Sequence, residues 1–328
     1  MEYRKLGNSG LELPVITLGT WAIGSWMWGK TDRKDAIEAI NASIQSGVTA
    51  IDTAPIYGQG ESEEIIGEAI QNVPRDQVQI LTKFGMLWDR KQGEFAFKSV
   101  NNEGEEIEIY KYAGKESIIK ECEDSLRRLR TDYIDLYQIH WPDNTTVISE
   151  TFEAIQQLID QGKVRYGGVC NYNEQQMAEA LQTLPIISDQ IPFSMITRDD
   201  HQEAVHYCIE NGLGVLAYSP LERGLLTGKI RPGHKFAEGD HRQNNPYFTD
   251  EYITRVDEFL KKLQPLADDK KATLSQIVLR WTVEQPGITV ALTGARNADQ
   301  AIHNAEAADV ALDPAELDFI SSLVDGLL

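Results

Sequence analysis

The chain alternates short apolar runs with longer segments in which apolar residues recur every three or four positions. The short runs are rich in β-branched residues and almost continuously apolar, which is typical of strands buried on both faces of a parallel sheet. The sequence predicts eight such strands, at residues 15–21, 49–54, 79–84, 133–140, 164–171, 186–192, 214–220 and 288–294.

The segments between these runs have the 3.6-residue period of amphipathic helices. In the segment after the first run, Ile37, Ile40 and Ile44 fall on one face. Near the end of the chain, Asp313 and Pro314 are the residue types that favour the start of a helix. The pattern predicts about eight helices in all.

Eight strands that alternate with about eight helices predict an α/β protein, either a (β/α)8 TIM barrel or a large doubly wound sheet. A doubly wound dinucleotide-binding fold would carry G-x-G-x-x-G after an early strand, and the sequence has no such motif. We therefore predict a barrel that forms a single domain over residues 1–328.

Two connections, residues 85–115 and 222–250, are too long to be ordinary loops. Each follows a predicted strand. In a barrel, both would lie at the C-terminal ends of the strands, where barrel enzymes build their sites.

The 51 acidic and 31 basic residues give a formal net charge of −20. This charge argues against a nucleic-acid or anionic-membrane partner, which would require a basic surface. The three cysteines are too scattered for a disulfide framework or a zinc cluster, and no metal site is predicted. The start of the chain lacks a signal-peptide core and no run is long enough to span a bilayer, so we predict a cytoplasmic protein. The oligomeric state is left open.

Polar or aromatic side chains stand at the ends of six predicted strands: Asp52, Lys83, His140, Asn171, Gln190 and Tyr218. If the barrel is correct, they converge on one mouth. Burying this much polarity is unfavourable unless the groups pair, so a hydrogen-bonded network is expected there.

Four residues of this region, Asp52, Tyr57, Lys83 and His140, are suited to proton transfer. A tyrosine has an unperturbed pKa of about 10. A nearby Lys83 ammonium lowers that pKa, and Asp52 would keep the lysine charged. His140 can donate a hydrogen bond to a substrate oxygen. Such a set suits the reduction of a carbonyl group, with the hydride supplied by a cofactor because no side chain provides one.

Each of these four residues, taken alone, also fits a plain structural role. A single tyrosine in a loop, such as Tyr57, is more often a packing or surface residue. Asp52 could cap its own loop, and Lys83 could be its simple ion-pair partner. His140 alone is more often a satisfied core histidine. The four together, each at the mouth end of its own element, favour a site. A Schiff-base lyase that uses Lys83 is a further alternative.

The sequence resembles the aldo-keto reductases over nearly its whole length, in the branch of bacterial general-stress proteins and potassium-channel β subunits. The resemblance lies in the segments GVTAIDTAPIYGQGESEEIIGEAI, ILTKFG, DYIDLYQIHWPD, GKVRYGGVCNYN, AYSPLERGLLTGK and LTGARNADQAIHNAE. It implies a (β/α)8 barrel whose floor is closed by an N-terminal hairpin, here residues 3–14. It also implies that NADP(H) binds at the mouth and that a small-molecule carbonyl compound is the substrate.

The resemblance further implies the role of each site residue. Tyr57 is the general acid, Lys83 and Asp52 tune it, and His140 orients the carbonyl group. The cofactor-binding residues implied are Gly19, Thr20, Trp21, Asp52, Cys170, Asn171, Gln190, Tyr218, Ser219, Leu221, Gly224, Lys229, Gly294, Arg296, Gln300 and Asn304.

Within this set, Asn171 and Gln190 would hold the nicotinamide carboxamide, and Tyr218 would stack on the ring. Arg296 has the planar fork suited to a 2′-phosphate, which favours NADPH over NADH. Three positions depart from the usual family pattern and blur this preference: Cys170 replaces a serine, Gln300 a basic residue and His303 an acidic one.

Aromatic side chains cluster in the segments predicted to surround the mouth, and packing beneath long loops ordinarily accounts for such residues. As a group they indicate an apolar, aromatic substrate pocket. The predicted substrate contacts are Trp21, Trp28, Trp88 and Trp141.

A slow-turnover, cofactor-sensing regulatory subunit of the same fold is the main alternative to a reductase.

Overall fold

The computed structural model describes residues 1–237 and 239–327. The strands in this part of the chain are β1 (Tyr3–Lys5), β2 (Glu12–Pro14), β3 (Ile16–Gly19), β4 (Ala50–Asp52), β5 (Gln79–Phe84), β6 (Met86–Leu87), β7 (Glu94–Val100), β8 (Glu106–Lys111), β9 (Ile134–Ile139), β10 (Val164–Cys170), β11 (Ser188–Pro192), β12 (Gly214–Tyr218) and β13 (Ile288–Gly294).

Eight of these strands close into a parallel barrel in the order β3-β4-β5-β9-β10-β11-β12-β13, and β13 pairs again with β3. Each of the eight predicted runs contains one barrel strand, so the predicted fold is confirmed. The runs are almost fully apolar because these strands pack on side chains inside the barrel and on helices outside it.

The helices of the described chain are α1 (Arg33–Gln45), α2 (Glu61–Ala69), α3 (Lys115–Leu129), α4 (Ile148–Asp160), α5 (Glu174–Leu181), α6 (Gln202–Asn211), α7 (Asp250–Lys270), α8 (Leu274–Val283), α9 (Ala298–Ala305) and α10 (Pro314–Asp325). Asp313 caps α10 by accepting from the backbone N–H of Glu316, and Pro314 is its first residue, as predicted. The long helix α7 is an addition to the simple alternation, since β12 is followed by both α7 and α8. None of these helices is long and apolar enough to cross a membrane.

The lower part of the barrel interior is filled by leucine and other aliphatic side chains. Leu81, Leu136 and Leu216 from three barrel strands pack with Leu6 and Leu13 of the β1–β2 hairpin. The antiparallel hairpin therefore closes the barrel floor, as the family resemblance implies. With the floor filled, the other end is left for a site.

The connection at residues 85–115 is not a loop but a three-stranded antiparallel sheet in the order β6-β8-β7. Its signal was present in the sequence, because the segments EFAFKSV and EIEIYK alternate apolar and polar residues with the period of a strand. The sheet begins directly after Gly85, whose N–H donates to the buried carboxyl of Glu121 at 2.9 Å. Burial raises the pKa of that carboxyl to about 7.

The described part of the connection at residues 222–250 contains short 3-10 segments at Glu222–Thr227, which is kinked at Arg223 and Gly224, at His241–Asn244 and at Pro246–Phe248. Both long connections border the same cavity at the C-terminal end of the barrel. Their predicted location is confirmed.

Candidate active site

A buried ion pair lies at the C-terminal end of the barrel interior. Lys83 is fully buried, and its Nζ lies 2.6 Å from Asp52 Oδ1 and 2.8 Å from the carbonyl oxygen of Thr53. The second carboxylate oxygen of Asp52 accepts from Gln190 Nε2 at 2.8 Å and from Gln138 Nε2 at 3.5 Å. Burial by itself would lower the pKa of Lys83, but the adjacent Asp52 carboxylate has the larger, opposite effect. The pKa of Lys83 is therefore raised above its usual value, and the ammonium stays charged.

Tyr57 lies in the turn after β4, with its phenol oxygen 3.4 Å from Lys83 Nζ. Its backbone is held against the segment after β3. A Cβ atom on Gly24 would lie 2.6 Å from the carbonyl carbon and oxygen of Tyr57, so only glycine permits this approach. The phenol of Tyr57 and the ammonium of Lys83 are therefore close to each other, as the sequence predicts.

The predicted direction of the Tyr57 pKa shift is wrong. Burial raises the pKa of Tyr57 to about 12, although the Lys83 ammonium pulls it down. Loss of hydration disfavours the phenolate more than the lysine stabilises it. The phenol is therefore held protonated, with the ammonium beside it.

His140 follows β9 directly and completes the group of four. Its ring centre lies 5.7 Å from that of Tyr57, with the two rings nearly perpendicular. Burial, reinforced by the Lys83 charge, lowers the pKa of His140 well below its usual range. The imidazole is consequently neutral at neutral pH. The carbonyl oxygen of His140 accepts from Asn171 Nδ2 at 3.2 Å.

A single cavity of about 690 Å³ extends outward from these side chains. The residues predicted to bind a cofactor all line it: Gly19, Thr20, Trp21, Asp52, Cys170, Asn171, Gln190, Tyr218, Ser219, Leu221, Gly224, Lys229, Gly294, Arg296, Gln300 and Asn304. These residues come from several barrel strands and the connections that follow them. Their common location is consistent with one extended ligand.

Asn171, Tyr218 and Ser219 form the middle of the cavity wall. The Tyr218 hydroxyl donates to Asn171 Oδ1 at 3.0 Å. Asn171 and Ser219 both have positive φ angles, 59° and 56°, and so do Glu222 (42°) and Arg223 (53°). Such backbone conformations are costly for residues other than glycine and tend to occur where a site demands them.

The far end of the cavity is formed by the end of β13 and by α9. Asn304 Nδ2 donates to the carbonyl oxygen of Gly294 at 3.0 Å. The backbone N–H of Arg296 donates to Gln300 Oε1 at 2.9 Å. This end presents a helix N-terminus and a guanidinium group, and both favour an anion.

The charges that border the cavity contrast with the net charge of −20 on the chain. Arg223, Lys229, Arg242 and Arg296 line it, whereas Asp52 is the one carboxylate among its described lining residues. Since Asp52 is paired with Lys83, the cavity is suited to an anionic ligand such as a dinucleotide.

Three of the four predicted tryptophan contacts, Trp21, Trp28 and Trp141, line the cavity. Trp88 does not, and its predicted substrate role is not supported. The chain bends at Trp88 once β6 has ended at Leu87, and the indole packs instead against the apolar cluster beside the antiparallel sheet.

Several cavity residues were not predicted from the sequence. Met86 and Phe97 come from the antiparallel sheet, and Arg223 and Arg242 from the connection after β12. His241 packs behind the cavity wall, on the rings of Trp21 and Trp28. The length of the two connections was the available signal, but it could not indicate which side chains turn inward.

Comparison with known proteins identifies close relatives of the chain. The aldo-keto reductase YhdN of Bacillus subtilis is 40 % identical over 305 residues, which cover 92 % of this chain and 86 % of the relative. The NADH-specific methylglyoxal reductase of Escherichia coli is 35 % identical over 328 residues, with 98 % of each chain covered.

Two solved structures are also similar to this chain over nearly its whole length. Glycerol dehydrogenase AKR11B4 from Gluconobacter oxydans is similar with a TM-score of 0.88 and 32 % identity, covering 99 % of this chain and 96 % of its own. An aldo-keto reductase from Klebsiella pneumoniae in complex with NADPH has a TM-score of 0.72 and 27 % identity, with 98 % and 95 % covered. A model of the aldo/keto reductase family matches residues 15–325. The chain therefore belongs to the aldo/keto reductase family.

Proposed function

We propose that this protein is an NADP(H)-dependent oxidoreductase that reduces aldehydes or ketones to alcohols, with Tyr57 as general acid. The observation that carries the proposal is the buried Asp52–Lys83 pair, which lies within 3.4 Å of a phenol at the inner end of the cavity. Family membership supports the reaction class.

The proposed role of Tyr57 follows from its protonation state. With a pKa of about 12, the phenol carries its proton at neutral pH and can donate it to a carbonyl oxygen that gains negative charge. The ammonium of Lys83 then stabilises the phenolate that remains, and the Asp52 carboxylate keeps the ammonium charged and in place. In the reverse direction the same groups would accept the proton of an alcohol.

The proposed role of His140 is to hold the substrate oxygen. As a neutral imidazole it can donate one hydrogen bond without adding a second positive charge beside Lys83. A bound nicotinamide cofactor would supply the hydride. Asn171, Gln190 and Tyr218 line the cavity where a nicotinamide would lie beside Tyr57, and the donors and cations farther out suit its phosphates.

The barrel is proposed to act as one domain. Its closure pairs β3 with β13, with Ile16 beside Ala291 and Gly19 beside Gly294, so the first and last strands of the barrel are neighbours in one sheet.

Reductase activity can be tested by mixing the protein with NADPH and a reactive aldehyde and following the loss of nicotinamide absorbance. Multiple turnovers are expected, since the proton donor and its charged neighbours are already assembled. Tight NADPH binding with negligible turnover for a panel of aldehydes and ketones would instead favour the regulatory subunit.

The proposed preference for NADPH can be tested with Arg296→Ala. Because Arg296 borders the far end of the cavity, its loss should remove a charge-assisted contact to a 2′-phosphate, which contributes about 1.5–3 kcal/mol. We expect the Kd for NADPH to rise more than tenfold while the Kd for NADH changes little.

Arg223→Ala is the control for Arg296→Ala, because Arg223 lines another part of the cavity and should affect the two cofactors alike. An equal loss of both cofactors in Arg296→Ala would remove the assignment. The NADH specificity of the Escherichia coli relative makes this measurement necessary.

A further inference from the structure

Three fully buried hydroxyl groups form a chain beside the residues proposed to transfer the proton. Thr20 directly follows β3, Thr53 directly follows β4, and Ser62 lies in the first turn of α2. Thr53 Oγ1 and Ser62 Oγ are 3.0 Å apart, and Ser62 Oγ lies 2.8 Å from Thr20 Oγ1. We call this group the hydroxyl chain Thr53–Ser62–Thr20.

The direction of each hydrogen bond in the hydroxyl chain follows from its last acceptor. Thr20 Oγ1 lies 2.9 Å from the carbonyl oxygen of Asp52, and because a carbonyl oxygen only accepts, the Thr20 hydroxyl donates to it. A hydroxyl has one proton, so Ser62 donates to Thr20, whose carbonyl oxygen is a second acceptor at 3.3 Å. Thr53 in turn donates to Ser62. Removing the Ser62 hydroxyl would therefore leave the buried Thr53 hydroxyl without its acceptor.

The hydroxyl chain holds the two residues that bind the Lys83 ammonium. Lys83 Nζ lies 2.6 Å from Asp52 Oδ1 and 2.8 Å from the carbonyl oxygen of Thr53. Thr20 fixes the backbone of Asp52, since its N–H, at 3.0 Å, and its hydroxyl both donate to the Asp52 carbonyl oxygen. The Thr53 hydroxyl ties the next residue to Ser62. The position of the ammonium therefore depends on the hydroxyl chain.

Ser62 also holds the turn that carries the phenol. Its backbone N–H donates to the carbonyl oxygen of Tyr57 at 3.2 Å. One residue thus links the turn of Tyr57 to the end of β4, where Asp52 and Thr53 hold the ammonium. The distance of 3.4 Å between Tyr57 Oη and Lys83 Nζ is spanned by this link.

We propose that Ser62 is a positioning residue of the reaction, which fixes the distance between the Tyr57 phenol and the Lys83 ammonium through the hydroxyl chain. The attraction between a phenolate and an ammonium weakens as their separation grows, and proton transfer requires close alignment. Ser62 is not among the described lining residues of the cavity, so it acts without touching a ligand. This inference rests on the proposed reductase function.

Ser62→Ala is expected to lower kcat for aldehyde reduction about ten- to 100-fold, because misplacement of a catalytic group by about 1 Å can have an effect of that size. The Thr53 hydroxyl loses its acceptor and must turn, and the same residue holds Lys83 with its carbonyl oxygen. The KM for the aldehyde and the Kd for NADPH should be nearly unchanged. Steady-state rates and a fluorescence titration of NADPH measure these quantities.

Thr53→Val is the second variant, because valine keeps the branched shape of threonine and lacks only the hydroxyl. It should lower kcat in the same direction, so misfolding of one variant does not prevent the test. Ser125→Ala is the matched control, since Ser125 is a fully buried serine of α3 whose Oγ accepts from Arg128 Nη2 at 3.3 Å. Its kcat should equal that of the unmodified protein.

Combination with Tyr57→Phe distinguishes positioning of the phenol from a structural role. If Ser62 acts by placing the phenol, its loss has no further consequence once the phenol is gone. Ser62→Ala should then lower the remaining kcat of Tyr57→Phe by less than about twofold. A loss by the same factor in both backgrounds would show that Ser62 does not act through Tyr57, and it would overturn the inference.

Two other results would also overturn the inference. One is an unchanged kcat in both Ser62→Ala and Thr53→Val, and the other is failure of both variants to fold, which would show that the hydroxyl chain serves the fold alone. Either result leaves the reductase function intact, because the unmodified protein would still reduce the aldehyde. If the unmodified protein reduced no aldehyde or ketone of the panel, the reductase proposal itself would be wrong.

Discussion

Tyr57→Phe is expected to lower kcat for carbonyl reduction by about 10²–10⁴-fold, the usual contribution of a positioned general acid. The substitution removes the one proton that the phenol can donate and keeps the ring, with its contacts to Trp21 and His140. NADPH affinity should be nearly unchanged. Steady-state rates with an aldehyde, together with a fluorescence titration of NADPH, measure the two effects separately.

Tyr3→Phe is the control for this experiment. The Tyr3 hydroxyl donates to the carbonyl oxygen of Gly47 at the opposite end of the barrel, so its removal should leave kcat unchanged. Equal losses of rate and of NADPH affinity in Tyr57→Phe would show that Tyr57 binds the cofactor rather than donating a proton.

Asp52→Ala is expected to destabilise the protein by about 3–5 kcal/mol, because it leaves the buried ammonium of Lys83 without its counter-ion. Lys83 is fully buried, and its remaining hydrogen-bond partners among the described residues are the Thr53 carbonyl oxygen and the Tyr57 hydroxyl. Reductase activity should be lost as well. Denaturant unfolding and the aldehyde assay measure the two consequences.

The double variant Asp52→Ala/Lys83→Met separates stability from chemistry. Removing both charges of a buried pair is often close to neutral for stability, so most of the lost stability should return while activity stays absent. Glu38→Gln is the control for a surface pair, since Glu38 and Lys34 are both exposed and should contribute less than about 0.5 kcal/mol. A double variant as unstable as Asp52→Ala would show that the unpaired charge is not the cause.

The local pattern of the sequence was sufficient for the barrel and for much of the site. The apolar runs that became β4, β5 and β9 end in or beside Asp52, Lys83 and His140, and parallel strands bring such ends to one face. The antiparallel sheet at residues 85–115 was not predicted, although the period-2 pattern of its strands is present in the sequence.

The features that sequence reasoning missed depend on contacts between distant parts of the chain. His241 donates to the carbonyl oxygen of Met27, a residue 214 positions away, and no local pattern specifies that pairing. Trp88 lies outside the cavity lining because the chain bends directly after β6. The raised pKa of Tyr57 depends on how completely the surrounding elements exclude water.

The sequence by itself determined the eight strands, their parallel arrangement and the identity of the four polar residues at the barrel mouth. These follow from hydrophobic periodicity and from the unfavourable burial of unpaired polar groups, both of which are properties of short segments. Only the tertiary structure decided which aromatic side chains border the cavity and whether the phenol holds its proton. Those properties depend on distance and solvent exclusion, which arise when segments far apart in the chain pack together.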